Sequence, residues 1–332
     1  MMLVPQPGHT GRGSHVPPVE RAAWREKPLM SRTSTRQRMG PCFGIALLAL
    51  SLGCSIFSAE VPTRPIATVE GKREGKLIFV PLRVNGKGPF WFCVDTGASH
   101  TVLDPGLARE LHLKIIESSA TTGTGQGEVP VDHVGPITIA SGSLELKVPD
   151  PWVIDLSQVP IPKWTRGLVG AEFFEAYVVE LNPERPSLQL YDPVTYRKRS
   201  NATSIPLTLE NHRLFITARI EVTDQKVVEH RLRVDTGSED SVADDIVKEG
   251  REVRETVLGN GLGKDFKGYS GLVKTVQIGP FRFIEVWGPG APRPAVGMEI
   301  FRRFTTVFDG PHGAMHLEPN EHLADPVPAP SQ

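Results

Sequence analysis

The sequence is bounded first by what it holds little of. Three cysteines in 332 residues (Cys42, Cys54 and Cys93) are too few for a disulfide framework to hold the fold. A net charge of −1 offers no basic field for nucleic acid or for an anionic membrane surface. His100, His112 and His133 lack metal-ligand spacing and no HExxH occurs, so no metal is expected and each reads as a solvated surface histidine. A Gly-x-Ser-x-Gly nucleophile elbow is absent. "GLGK" at 261–264 lacks P-loop spacing and a following Ser or Thr, and "GTGQG" is not a dinucleotide fingerprint. No cofactor is expected.

Glycine and proline are abundant, 32 and 30 residues, with short Val, Ile, Leu and Phe runs between them. Such punctuation favours strands and tight turns and predicts an all-β protein. Near the start, Arg32, Arg36 and Arg38 precede the apolar run "CFGIALLALSLGCSIF" at 42–57. At 16 residues the run is shorter than the ~20 of a transmembrane helix, and its basic flank fits an export signal. Residues 1–59 are therefore read as leader and signal peptide, with Met30 as the natural start and a mature chain beginning between Cys54 and Val61. "SLGC" is similar to a bacterial lipobox, but Ser51 stands where that motif has Leu or Val, so lipid on Cys54 is the less favoured variant. Export to the periplasm, envelope or exterior is the expectation, with no other membrane contact. The polar, proline-rich tail 320–332 is expected to be disordered.

Between these ends the chain says most things twice. "WFCVDTGASHTV" at 91–102 is echoed by "LRVDTGSEDSVA" at 232–243. Each copy follows a strand, a turn and a second strand, with turns at Asn85-Gly86-Lys87-Gly88 and near Thr223-Asp224-Gln225. Glycine-rich stretches lie beyond each at a similar offset: Gly123, Gly125 and Gly127, then Gly259, Gly261 and Gly263. An apolar-Gly-x-Glu segment recurs at Gly170 and Gly297, and a short strand closes each half. Asp95 and Asp235 are 140 residues apart and the late glycines 127, a domain duplication rather than a solenoid. The halves are set at 60–198 and 199–319.

Asp95 is the costly residue. A carboxylate that ends an apolar run loses several kcal/mol to desolvation unless it is bonded or paired. The duplicate supplies a partner. Two carboxylates pressed together cannot both ionise cheaply, so one keeps a proton while the other stays a base. Such a pair can activate water and protonate a carbonyl oxygen, as amide hydrolysis requires. Cys93, two residues earlier in the strand, reads as a small core residue and not a nucleophile.

The paired Asp-Thr-Gly-Ala/Ser motifs, each with a downstream apolar-apolar-Gly segment, resemble the two lobes of an aspartic protease over roughly residues 77–318. Both lobes in one chain is the pepsin arrangement. "DTGSEDSV" is similar instead to the retroviral protease signature Asp-Thr-Gly-Ala-Asp-Asp-Thr-Val. The resemblance implies the acid-protease fold, two similar β-barrel-like lobes, with Asp95 and Asp235 as the catalytic dyad. It implies that Thr96 and Thr236 lock the loops across the lobes, while Gly97 and Gly237 permit the tight turn that brings the carboxylates together. Substrate contacts would come from Ser99 and His100 in one lobe and from Glu239 and Asp240 in the other, putting more negative charge on the second lobe's side. The glycine-rich stretches would be flaps. Ala171 and Met298 replace the Arg that retroviral enzymes carry after the late glycine, so that ion pair is absent, and no tyrosine marks a pepsin-type flap near Gly123. The expected function is an exported, monomeric aspartic endopeptidase acting on a peptide or protein. Its rival is a peptide-binding or envelope interaction protein on the same fold without turnover.

Overall fold

The computed structural model describes residues 63–259 and 261–329. The leader, the export signal and Cys54 lie outside them. Among the described residues the chain is all-β, in sheets of ten, eight and six strands. Its α-helices are single turns or little more, at Pro105–Glu110, Ala171–Ala176 and Met298–Phe301.

Each half begins with a hairpin that ends at its Asp-Thr-Gly. In the first, Leu77–Val84 pairs with Lys87–Val94, setting Phe79 opposite Cys93. The reversal is two residues, with Asn85 and Gly86 at φ 49° and 77°, the left-handed pair that a type I′ turn demands. It is shorter than the sequence suggests, since Lys87 and Gly88 already belong to the second strand. In the second half, Arg213–Glu221 pairs with Val227–Val234, setting Phe215 opposite Arg233.

A short strand then threads back in parallel to hold each loop. Thr165–Val169 brings Val169 beside Val94, and Ala295–Val296 brings Val296 beside Val234. The amide of Asp95 donates to the Val169 carbonyl at 3.1 Å, and that of Asp235 to Val296 at 2.9 Å. The glycine after each strand is fixed by space. A Cβ on Gly170 would stand 2.2 Å from the His100 carbonyl carbon, and one on Gly297 2.6 Å from the Asp240 oxygen.

The six-stranded sheet belongs to both halves. Its order is Ala67–Glu70, Ser187–Tyr191, Val178–Asn182, Phe304–Asp309, Ala314–Pro319 and Thr203–Pro206. Val179 lies opposite Phe308 and Leu181 opposite Thr306, so the seam is a continuous ladder. Phe174 and Phe301 pack edge-on against Phe308 at 5.6 and 6.1 Å. The halves are thus joined through backbone and core together.

The tail departs from expectation. Through Val327 it is held, because Arg303, 0% exposed, uses its guanidinium to bind it. That group donates to Glu299 Oε1 at 2.7 Å and to the carbonyls of His322 and Pro326 at 3.3 Å each. Arg302 adds an ion pair to Asp325 at 3.0 Å, and Val327 is buried. Low hydrophobicity is outweighed here by a buried cation that needs acceptors. Breaking such a pair by removing one partner costs about 3–5 kcal/mol, since the other is left buried and uncompensated. Arg303→Met is therefore expected to lower stability by that order in urea unfolding and to expose the 320–329 backbone to protease. An unchanged cleavage rate in the tail would show that Arg303 does not hold it.

Candidate active site

The two Asp-Thr-Gly loops meet at the seam. Thr96 donates its amide to Thr236 Oγ1 at 3.0 Å and its hydroxyl to the Val234 carbonyl at 2.8 Å. Thr236 returns both bonds, to Thr96 Oγ1 at 3.0 Å and the Val94 carbonyl at 2.8 Å. Both threonines are buried, so every one of these groups would otherwise be orphaned.

The glycines answer to the opposite lobe. A Cβ on Gly97 would stand 2.5 Å from Asp235 Oδ1, and a Cβ on Gly237 2.4 Å from Asp95 Cγ. Neither glycine is among the positive-φ residues. The requirement is therefore room for the other carboxylate, not the tight turn that the sequence suggests. Each aspartate fills the space where the other loop's side chain would begin.

Burial, and then the charge of Asp235, push the Asp95 carboxyl up to about 7, against the opposing pull of Arg233 and the amides of Gly97 and Ala98. Gly97 donates to Asp95 Oδ1 at 2.8 Å. Asp235, 6% exposed, holds the guanidinium of Arg233 on its Oδ2 at 2.5 Å. The members of the pair therefore differ: Asp95 is pushed toward its protonated form, and Asp235 carries the Arg233 contact. The thiol of Cys93 is buried, its pKa raised by burial and by the charges of Asp95 and Asp235, which suits an inert core residue.

The remaining sequence candidates fall in different places. Ser99 is buried and shares a hydrogen bond of 3.1 Å with His100 Nδ1. The His100 ring stacks on Trp152 at 4.0 Å and lies 5.5 Å from His212 of the other half. Burial lowers its pKa, with Asp150 pulling the other way. Glu239 turns to the first half, where the Lys76 amide donates to its carboxylate at 2.9 Å. Asp240 accepts from Ser238 Oγ at 3.1 Å.

The glycine-rich stretches are hairpin tips that meet each other. One joins Ile115–Thr121 to Val129–Val134, the other Arg251–Leu258 to Phe266–Ile278. Gly125 donates to the Leu262 carbonyl at 2.9 Å, and Gln126 and Lys264 exchange two bonds of 2.9 Å. A Cβ on Gly123 would stand 2.2 Å from the Leu262 oxygen, one on Gly261 2.2 Å from Thr124 Oγ1, and one on Gly125 2.6 Å from the Gly263 carbonyl carbon. Gly127, Gly259 and Gly263 have φ of 86°, 109° and 107°. Arg293 fastens the first tip by donating to Thr122 Oγ1 at 3.0 Å and to the Gly123 carbonyl.

Several residues at the seam are not evident from the motifs. Glu172 accepts from the Thr101 amide and hydroxyl at 2.9 and 2.8 Å, bracing the first loop. Its counterpart Glu299 pairs with Lys76, Arg302 and Arg303 at 2.9, 2.8 and 2.7 Å. An ionic brace thus exists behind the late glycine of the second half, with the acid on the helix and the cations around it. Arg213, Arg233 and Arg293 gather near Asp235, so the second half presents positive charge to the dyad where the sequence suggests negative. Arg233 could have been found from period two alone, since residues i and i−2 of a strand share a face.

Residues 80–173 match the family model described as aspartyl protease. That stretch is aspartyl-protease-like, and it contains Asp95. No curated protein matches the chain. Among solved structures the chain is similar to the crystal structure of Basic 7S globulin from soybean, at 11% identity and a TM-score of 0.44, over 77% of this chain and 95% of that one.

Two outcomes follow from this geometry. Thr96→Val strands the Thr236 amide and the Val234 carbonyl, at about 1–3 kcal/mol each; a loss below that in chemical unfolding would mean that the loops do not depend on the cross-bonds. Asp95→Asn tests the raised pKa. A carboxyl protonated up to about 7 when folded, yet ionising near the ordinary carboxylate value when unfolded, loses folding free energy as pH rises between the two. The advantage of the Asn variant over wild type should therefore grow from acid toward neutral pH and then level. A pH-independent difference would refute the shift.

Proposed function

We propose that the chain is an aspartic endopeptidase with one active site, the Asp95/Asp235 pair. The observation that carries this reading is the reciprocal seating of each carboxylate against the other loop's glycine, locked by the threonine cross-bonds. The aspartyl protease match over residues 80–173 supports it. Pressing two carboxylates together has a cost that a binding protein has no reason to sustain. Asp235, with Arg233 beside it, takes the role of base and accepts a proton from water as the water oxygen attacks the peptide carbonyl carbon. Asp95 gives its proton to the carbonyl oxygen. The C–N bond of the tetrahedral intermediate then breaks as the nitrogen is protonated. The glycine-rich tips would lie over the peptide and offer it backbone amides. The basic-then-apolar segment ending at residue 57 supports export, and the presence of both aspartates in one chain supports an active monomer.

A second reading has an observation of its own. A guanidinium bonded to a dyad carboxylate competes for the charge that activates water, which suits a silent peptide binder. Peptide-library cleavage across roughly pH 3–9 separates the two. Asp95→Asn, Asp235→Asn and the double variant are expected to fall to one floor, as residues acting as a unit do. The upper limb of the wild-type profile should fall near the pKa of Asp95, about 7. Full activity in Asp235→Asn would falsify the dyad, and a wild type inert on every peptide would leave the silent binder.

A further inference from the structure

The positive charge beside Asp235 has no structural task that accounts for all of it. Phe215 lies opposite Arg233 in the hairpin of the second half, so one further step of two places Arg213 opposite Asp235 and on the same face. On the other side, Arg233 lies beside Ala295 in the parallel strand, and its amide donates to the carbonyl of Pro294. Arg293 precedes that proline and reaches up to the flap tip at Thr122 and Gly123. Arg213, Arg233 and Arg293 therefore gather on the Asp235 side of the seam, with Arg233 on its carboxylate and Arg293 reaching to the tip.

Their charge is not balanced. Asp235 is the acid paired with Arg233, and Arg213 and Arg293 form no ion pair among the described residues. The Nε of Arg233 is buried without a hydrogen-bond partner. Burial, followed by the like charges of Arg233 and Arg293, lowers the pKa of Arg213. Neighbouring acids are spoken for: Glu210 by Arg231, Glu175 by His212, Asp150 by His133 and Glu239 by the Lys76 amide. Two half-buried guanidiniums, Arg213 and Arg233, with one counter-ion between them and the exposed Arg293 nearby, are costly unless a further anion completes the cluster.

The first half shows that the fold does not require this. The same register there places Leu77 opposite Asp95 and Cys93 opposite Phe79, both buried and apolar. Arg166, at the position matching Arg293, is neutralised by Asp104 and Glu110 at 2.7 and 3.0 Å.

We propose that Arg213, Arg233 and Arg293 form an anion subsite beside the dyad, which takes a carboxylate of the peptide substrate. The carboxylate is an Asp or Glu side chain next to the cleaved bond or the free C-terminus of the peptide. Guanidinium forks match carboxylate geometry, and recognition on this side alone fixes the direction in which a peptide lies across a nearly symmetric dyad. The inference rests on the endopeptidase reading for its substrate, but the subsite can be tested without turnover.

The full chain is given matched peptides with acidic, neutral or basic residues flanking the scissile bond, each with an amidated or a free C-terminus. Cleavage favouring internal Asp or Glu in amidated peptides assigns the side chain; preference confined to free C-termini assigns the terminal carboxylate. In Arg213→Gln the acidic-over-neutral ratio of kcat/KM should fall about ten- to a hundredfold, the loss expected for one charge-assisted contact. Arg213→Glu should reverse the preference toward basic peptides. Equal cleavage of all classes, or a ratio unmoved by either variant, overturns the subsite. Should no peptide be cleaved, the hydrolase reading fails first. Fluorescence anisotropy with the same labelled peptides then decides the subsite: tighter binding of acidic peptides that Arg213→Gln abolishes upholds it, and indifference to charge overturns it.

Discussion

Everything at the seam follows from seating two carboxylates where each occupies the other loop's missing side chain. Like charges so placed repel, and burial removes the water that would screen them. The structure answers with backbone. Four threonine hydrogen bonds cross the seam, and the six-stranded sheet joins the halves as one ladder. Neither interaction involves a charge, so neither is weakened when the dyad gains or loses its proton. Holding the carboxylates and tuning them are separate tasks for separate groups.

Tuning is where the halves diverge. Their turns reach across the seam in matching positions but carry different chemistry. Lys76 binds Glu239 and Glu299 of the second half, while His212 binds Glu175 and lies near His100 of the first. Cys93 and Arg233 occupy one register position, as do Leu77 and Arg213. Asp95 therefore has apolar register neighbours and is pushed toward its protonated form, whereas Asp235 has arginines at the same positions. Two matching frames are given a direction by a few strand residues.

The sequence discloses the frame well and its chemistry unevenly. Asp-Thr-Gly is legible because its spacing is local, and so are the hairpins, the late glycines and the glycine-rich tips. The reason for Gly97 and Gly237 is not local: the atom that excludes a Cβ belongs to the other half of the chain. The arginine cluster is hidden in the same way, since Arg213, Arg233 and Arg293 lie on three strands or loops and converge only through register. Acidic Glu239 and Asp240, next to the motif, suggest the opposite sign until Lys76 is seen to occupy the first of them. The tail looks disordered by composition, yet it supplies carbonyls to a buried Arg303 placed before it in the chain.

Arg293 links the floor of the site to its roof. It stands near Arg213 and also holds the first glycine-rich tip at Thr122 and Gly123. The two tips are themselves joined by the Gln126–Lys264 pair and by Gly125 on Leu262. On the endopeptidase reading proposed above, a peptide entering beneath them would part these backbone bonds, which glycine-rich tips could re-form against peptide carbonyls at little net cost. A carboxylate drawn to the cluster would compete with Gly123 for the Arg293 guanidinium. Charge recognition and opening of the roof would then draw on the same side chain, so an acidic peptide is better placed to loosen the tips than a neutral one.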